Sequence, residues 1–257
     1  MSENDINNIT DVTDAFFSLH HGLPRQGPGS DGTTRALLAL TGRLPKRPRV
    51  LDLGCGPGRS ALLLAAETGA EVTAVDTHQP FLDELRQSAA ARGLGGSVRT
   101  VNGSMSELPY ADGSFDLVWA ESSAYIIGFD TALSSWKRLL APGGALVLTE
   151  CVWTTDAPSA ECRAFWDAAE CPLRTAEANA TAAVAGGYDV LGTYVQPESD
   201  WDEYYIPLAR RLDATEPDGP AMAQALAGTR EELAMRRAHG AEYGYAGFAL
   251  RPVSFGV

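Results

Sequence analysis

Five short runs rich in apolar and β-branched residues recur at positions 49–53, 71–75, 97–101, 115–120 and 144–149. Between them, helical patterns fill 58–68, 79–92 and 130–140. Pro80 falls near the start of the second pattern, where its missing N–H costs little, and the APGG stretch at 141–144 ends the third. Strands that alternate with helices pair in parallel through right-handed crossovers. The pattern therefore predicts a doubly wound α/β sheet.

The flanks are less regular. Residues 13–19 are mildly amphipathic, the Gly- and Pro-rich stretch 25–32 interrupts any helix, and apolar residues at 37, 38, 40 and 44 mark a second helix that Ser30 or Asp31 can cap. Beyond residue 150 we expect helices near 159–169, 175–185 and 219–238 and strands at 188–195 and 242–250. These two strands, with a helical excursion between them, would complete a seven-stranded, mostly parallel sheet ending in an antiparallel hairpin. No linker separates a second domain, so the expected division is 1–46, 47–150 and 151–257, the last two within one domain.

Composition narrows the function. The 257 residues carry 33 acidic and 20 basic side chains, a net charge of −13, which argues against a phosphate-backbone partner. No apolar run is long enough to span a membrane. The polar, acidic opening residues read as neither secretory signal nor transit peptide, and the four cysteines form no CxxC pair, so a cytoplasmic location is expected. The four histidines form no metal-ligand motif, and no metal is expected.

The chemistry concentrates in the segment VLDLGCGPGR at 50–59, a strand entering a glycine turn and then a helix. Such a turn lets backbone approach a ligand closely, and the helix start offers free N–H groups. The spacing is G-x-G-x-G. A dinucleotide fingerprint would need glycine at 59, where Arg59 stands, and no P-loop is present. Asp76 ends the next strand, 22 residues after Gly54, where an acid can accept ribose hydroxyls. Together they point to a nucleoside cofactor; Asp76 could also cap the helix at 79–92.

The segment 51–58 resembles motif I of the class I S-adenosylmethionine-dependent methyltransferases, and later segments resemble that family in order: Val75 and Asp76, GSMSELP at 103–109, SFDLVW at 114–119 and RLLAPGG at 138–144. A narrower resemblance, carried by RQGPGS at 25–30, AYIIGF at 124–129, the stretch 201–205 and YGY at 243–245, is to a subgroup of small bacterial methyltransferases with largely unassigned substrates. The resemblance implies a Rossmann-like fold, S-adenosyl-L-methionine as cofactor and a small-molecule acceptor. It makes 1–46 a helical lid, 47–150 the cofactor-binding core, and 151–257 an acceptor-side insertion with the final hairpin.

By the same resemblance, Gly54, Cys55 and Gly56 would face the methionine and ribose parts through backbone atoms, and Asp76 the ribose hydroxyls. Thr77 and Phe81 would border the adenine, with Ser104 and Met105 at its edge; Met105 also reads as core filler. Asp52 is expected to order the turn. Glu121 would hold the cofactor's ammonium or face the acceptor. Arg25 and Gly29 belong to a glycine-rich turn suited to the cofactor's carboxylate. Tyr125, Glu121 and Tyr205 are the candidate catalytic residues, with Trp153, Trp201 and Tyr204 as further acceptor-side aromatics. His20 and His21 could supply a base but read more simply as surface residues.

Methyl transfer asks the protein chiefly for alignment and exclusion of water. Two other readings use the same cofactor site: a reaction releasing methylthioadenosine, by aminocarboxypropyl transfer or intramolecular cyclisation, and a catalytically silent cofactor-binding module. The acceptor atom is left open, and a homodimer is an assembly the sequence allows.

Overall fold

The computed structural model describes residues 3–169 and 171–253, and the expected division at the two chain ends lies partly outside these. Helices α1 (Glu3–His20) and α2 (Asp31–Leu40) precede the alternating core. The core runs β1 (Arg49–Leu53), α3 (Arg59–Thr68), β2 (Glu71–Asp76), α4 (Gln79–Ala91), β3 (Val98–Asn102), β4 (Phe115–Ala120), α5 (Phe129–Trp136) and β5 (Leu140–Trp153). Then come α6 (Ala160–Ala168), the two-residue β6 (Arg174–Thr175), α7 (Ala176–Ala185), β7 (Tyr188–Val195), α8 (Glu198–Ala214), α9 (Pro220–His239) and β8 (Tyr243–Pro252).

The sheet order is β3-β2-β1-β4-β5-β8-β7, with β6 paired to β5 off this path. The first four pairings along the path are parallel, whereas β8 runs antiparallel to both β5 and β7. The doubly wound sheet with its terminal hairpin is as expected. Side-chain alternation explains the two layers. Leu51, Leu53, Val118, Leu146 and Leu148 pack on one face with α5 and α7, while Val50, Leu117, Trp119 and Val147 pack on the other with α2, α3 and α4.

Three differences from the sequence reading are physical. The stretch 141–144 does not end a long helix: α5 stops at Trp136, and β5 already starts at Leu140. A register shift opposite Phe115 and Leu117 absorbs the proline and glycines. The second difference is α8, a 17-residue helix that keeps Pro207 inside it. The third is the N-terminal segment, which is built into the fold. Leu19 and Leu23 pack with Tyr204, Leu208 and Leu212 of α8 and with Leu226 and Leu233 of α9. Helices α1, α8 and α9 thus pack together as one layer.

Candidate active site

Two parallel strands and one turn build the centre. Gly54 and Cys55 donate their N–H groups to Val75 O at 2.9 and 3.1 Å, which ties the end of β1 to β2. Gly54 has φ +66°, and a Cβ there would lie 2.4 Å from Ser123 Cβ; Gly56 has φ +52°, and its Cβ would press on Gln26. Both positions therefore exclude side chains by conformation and by space. Asp52 is buried below the turn with Oδ2 unpartnered, and burial pushes its carboxyl well above the usual range.

Asp76 closes the turn. Its two oxygens accept from the Gly56 amide and the His78 amide, each at 2.8 Å. The carboxylate thus fixes both the glycine turn and the start of α4 while lining the cavity. Cys55 is buried and its thiol is pushed up by burial, as suits a packing residue.

A cavity of about 340 Å³ runs outward from this turn. Gly54, Gly56, Asp76, Thr77 and Phe81 line one end, and Tyr125, Trp166, Trp201, Tyr204, Tyr205 and Tyr245 line the other. Phe17 of α1 stacks on His78 with 4.3 Å between centroids and meets Phe81 edge-on at 5.8 Å, covering the Asp76 end. Tyr205 donates its hydroxyl to Glu232 Oε1 at 2.7 Å, joining α8 to α9. Burial raises both groups, and the hydrogen bond from Tyr205 opposes the shift on Glu232. Tyr125 is 51% exposed and lines the cavity; desolvation by the surrounding walls raises its phenol.

A smaller cavity of about 70 Å³ adjoins the turn and is lined by Arg25, Gln26, Gly54, Cys55, Gly56 and Glu121, among others. Glu121 is fully engaged: Oε1 accepts from Thr34 Oγ1 at 2.7 Å and Trp119 Nε1 at 3.0 Å, and Oε2 from Arg25 at 3.3 Å. Arg25 is buried and also reaches Asp31 and Glu203 at 3.5 and 3.6 Å. Gln26 presents a buried Oε1 with no hydrogen-bond partner, and it lines both cavities.

Four candidates, Gly29, Ser104, Met105 and Trp153, line neither cavity, although Met105 packs beside Gly54. Gly29 is buried, donates to Asp200 O at 3.2 Å and lines neither of these cavities. Met105 is a core residue whose carbonyl accepts from Trp136, and Ser104 is exposed and caps its own turn. Trp153 packs against Arg163 instead of the cavity. His20 corrects the surface reading: it is 1% exposed, bonded to Phe16 O at 2.8 Å and Tyr204 OH at 3.0 Å, and burial lowers its pKa. Glu150, Glu232, Trp166 and Gln26 escaped the sequence reading. Among the described residues, Cys162, His239 and Glu242 form one group of metal-ligating types, with donor atoms within 4.8 Å of one another, outside the cavity lining.

An α/β sheet with a glycine turn after β1, an acid after β2 and a roofed cavity at its carboxyl edge defines a nucleoside-cofactor enzyme fold. Residues 50–144 match the family model described as a methyltransferase domain. The chain shares the Rossmann-like fold of solved S-adenosylmethionine-dependent methyltransferases. It is 37% identical over 142 residues to methyltransferase GfsG of Streptomyces halstedii, covering 52% of this chain and 51% of that protein. The chain spans about half the length of the curated relatives it matches. A methyltransferase of Geobacter sulfurreducens, solved with S-adenosyl-L-homocysteine, superposes with TM-score 0.81 at 21% identity, over 93% of this chain and 98% of that one. The [4+2]-cyclase SpnF superposes with TM-score 0.72 at 25% identity, over 97% and 96%. None of the described helices is long and apolar enough to cross a membrane.

Proposed function

We propose that this chain binds S-adenosyl-L-methionine and transfers its methyl group to a small, largely apolar molecule. The observation that carries the reading is the single cavity joining the Gly54–Gly56–Asp76 turn to an aromatic chamber. A relative named as a 27-O-demethylrifamycin SV methyltransferase supports it. The site fits the cofactor: Gly54 and Gly56 bring bare backbone to the cavity wall, Asp76 supplies acceptor oxygens, and Gln26 Oε1 is a buried acceptor in want of a donor. Gly54, Gly56, Asp76, Thr77 and Phe81 would hold the nucleoside. Gln26 would receive the ammonium. Arg25 and Glu121 position that turn by tying it to β4, since each already has partners.

The bound cofactor supplies an electrophilic methyl on a good leaving group. The chain's own residues do the rest: the three-helix cover excludes water, and Trp201, Tyr204, Tyr205 and Tyr125 shape the acceptor chamber. Helix α1 acts as part of this cover. Incubation with S-adenosylmethionine and a panel of apolar hydroxyl compounds tests the reading. S-adenosylhomocysteine as co-product supports methyl transfer. Methylthioadenosine supports the alternative chain-transfer or cyclisation chemistry, and no consumption supports a silent module. The likeness to a [4+2]-cyclase favours one second reading, in which the aromatic chamber holds a substrate for ring closure.

A further inference from the structure

Behind Tyr125 a second cavity of about 400 Å³ adjoins the first, and the two share Tyr125, Ile126, Cys151 and Cys171. Glu150, near the end of β5, stands in its wall. The residue is 6% exposed, and its Oε1 has no hydrogen-bond partner. A buried carboxyl oxygen left unpaired is costly, and such groups are kept where a ligand or a proton completes them. No residue of the cofactor turn reaches it.

We propose that Glu150 receives the proton of a hydroxyl group on the acceptor, which enters between Tyr125 and Cys151. This rests on the methyl-transfer reading. In the step, the acceptor O–H bond breaks and its proton passes to the Glu150 carboxylate. The freed electron pair forms the O–CH3 bond, the S–CH3 bond breaks, and its pair stays on sulfur as a neutral thioether. The protonated Glu150 then returns its proton to solvent.

Several features favour a neutral hydroxyl. The groups facing Glu150 are Tyr125, Cys151, Cys171, Arg174 and Tyr245, and desolvation keeps the two tyrosines and two cysteines uncharged. Arg174, the cation that acts on Glu150, is held by Asp130 at 2.9 Å, and it disfavours an ammonium in the same pocket. Burial raises Glu150 to about 8 while Arg174 opposes that shift, so the carboxylate that takes the proton forms as pH rises toward 8 and transfer should rise with it.

The test uses full-length protein saturated with S-adenosylhomocysteine and two probes, 2-naphthol and naphthalene. Wild type should bind naphthol about 10-fold more tightly than naphthalene, the worth of one buried hydrogen bond. In Glu150→Leu that ratio should fall to about 1, and the within-variant ratio cancels any general change in cavity shape. Glu150→Gln, which can bond but cannot take the proton, should keep most of the ratio while methyl transfer to 2-naphthol falls roughly 100-fold. Equal ratios in wild type and Glu150→Leu, or no naphthol binding to protein that does bind S-adenosylhomocysteine, would overturn the proposal. Failure to bind S-adenosylhomocysteine would instead overturn the reading on which it rests.

Discussion

Arg25 and Glu121 form a buried ion pair, with Nη1 3.3 Å from Oε2 and both side chains under a tenth exposed, that fastens the N-terminal turn to the end of β4. Removing one partner of such a pair leaves the other charge uncompensated. Arg25→Ala should therefore lower stability by about 3–5 kcal/mol in urea denaturation. The double variant Arg25→Met with Glu121→Gln should lose less, because no lone charge is left inside.

Gly54→Ala should be more damaging than its size suggests. It places a Cβ at φ +66° and 2.4 Å from Ser123 Cβ. We expect both a lower melting temperature and weakened S-adenosylhomocysteine binding. Adding Ser123→Gly should restore part of the loss, since it removes the clash but not the conformational strain.

The contrast between what was legible and what was not follows from range. The strands and α3 to α5 were readable because burial on both faces writes continuous apolar runs into the sequence, and the glycine turn has fixed spacing. Helix α8 was missed although Trp201, Tyr204, Tyr205, Leu208 and Leu212 follow helical spacing and are buried or half-buried. Pro207 and the acidic entry hid it, yet these residues could have revealed it. Tyr205–Glu232, 27 residues apart, and His20–Tyr204, 184 apart, depend on tertiary packing that no local pattern encodes. Glu150 reads as an ordinary strand-end acid until its surroundings are known.

Stability should respond to pH through two buried groups of opposite sign. His20 is lowered, first by burial, so its contribution is full above the unfolded value of about 6.5 and is lost as pH falls through the lower folded value. Glu150 is raised to about 8, so its contribution is full below the unfolded value and is lost as pH rises through 8. Thermal melts should show Glu150→Leu gaining on wild type between pH 5 and about 8, while His20→Phe flattens the acid limb.

Leu19 anchors α1 in the helical cover, at 2% exposed among α8 and α9 residues. Leu19→Ala should cost about 2–5 kcal/mol and raise amide exchange in α1, α8 and α9 together. Exchange confined to α1 would show that the three helices do not act as one layer.

The central claim is that the turn formed by Gly54, Gly56 and Asp76 holds the nucleoside of S-adenosylmethionine. Calorimetric titration of S-adenosylhomocysteine into wild type and Asp76→Ala tests it most directly. The account predicts one site per chain in wild type and binding weaker by about 1–3 kcal/mol in the variant, whose loss of the carboxylate strips the ribose hydroxyls and the Gly56 amide of their acceptor. No binding by wild type, or equal affinity in the two proteins, would contradict it.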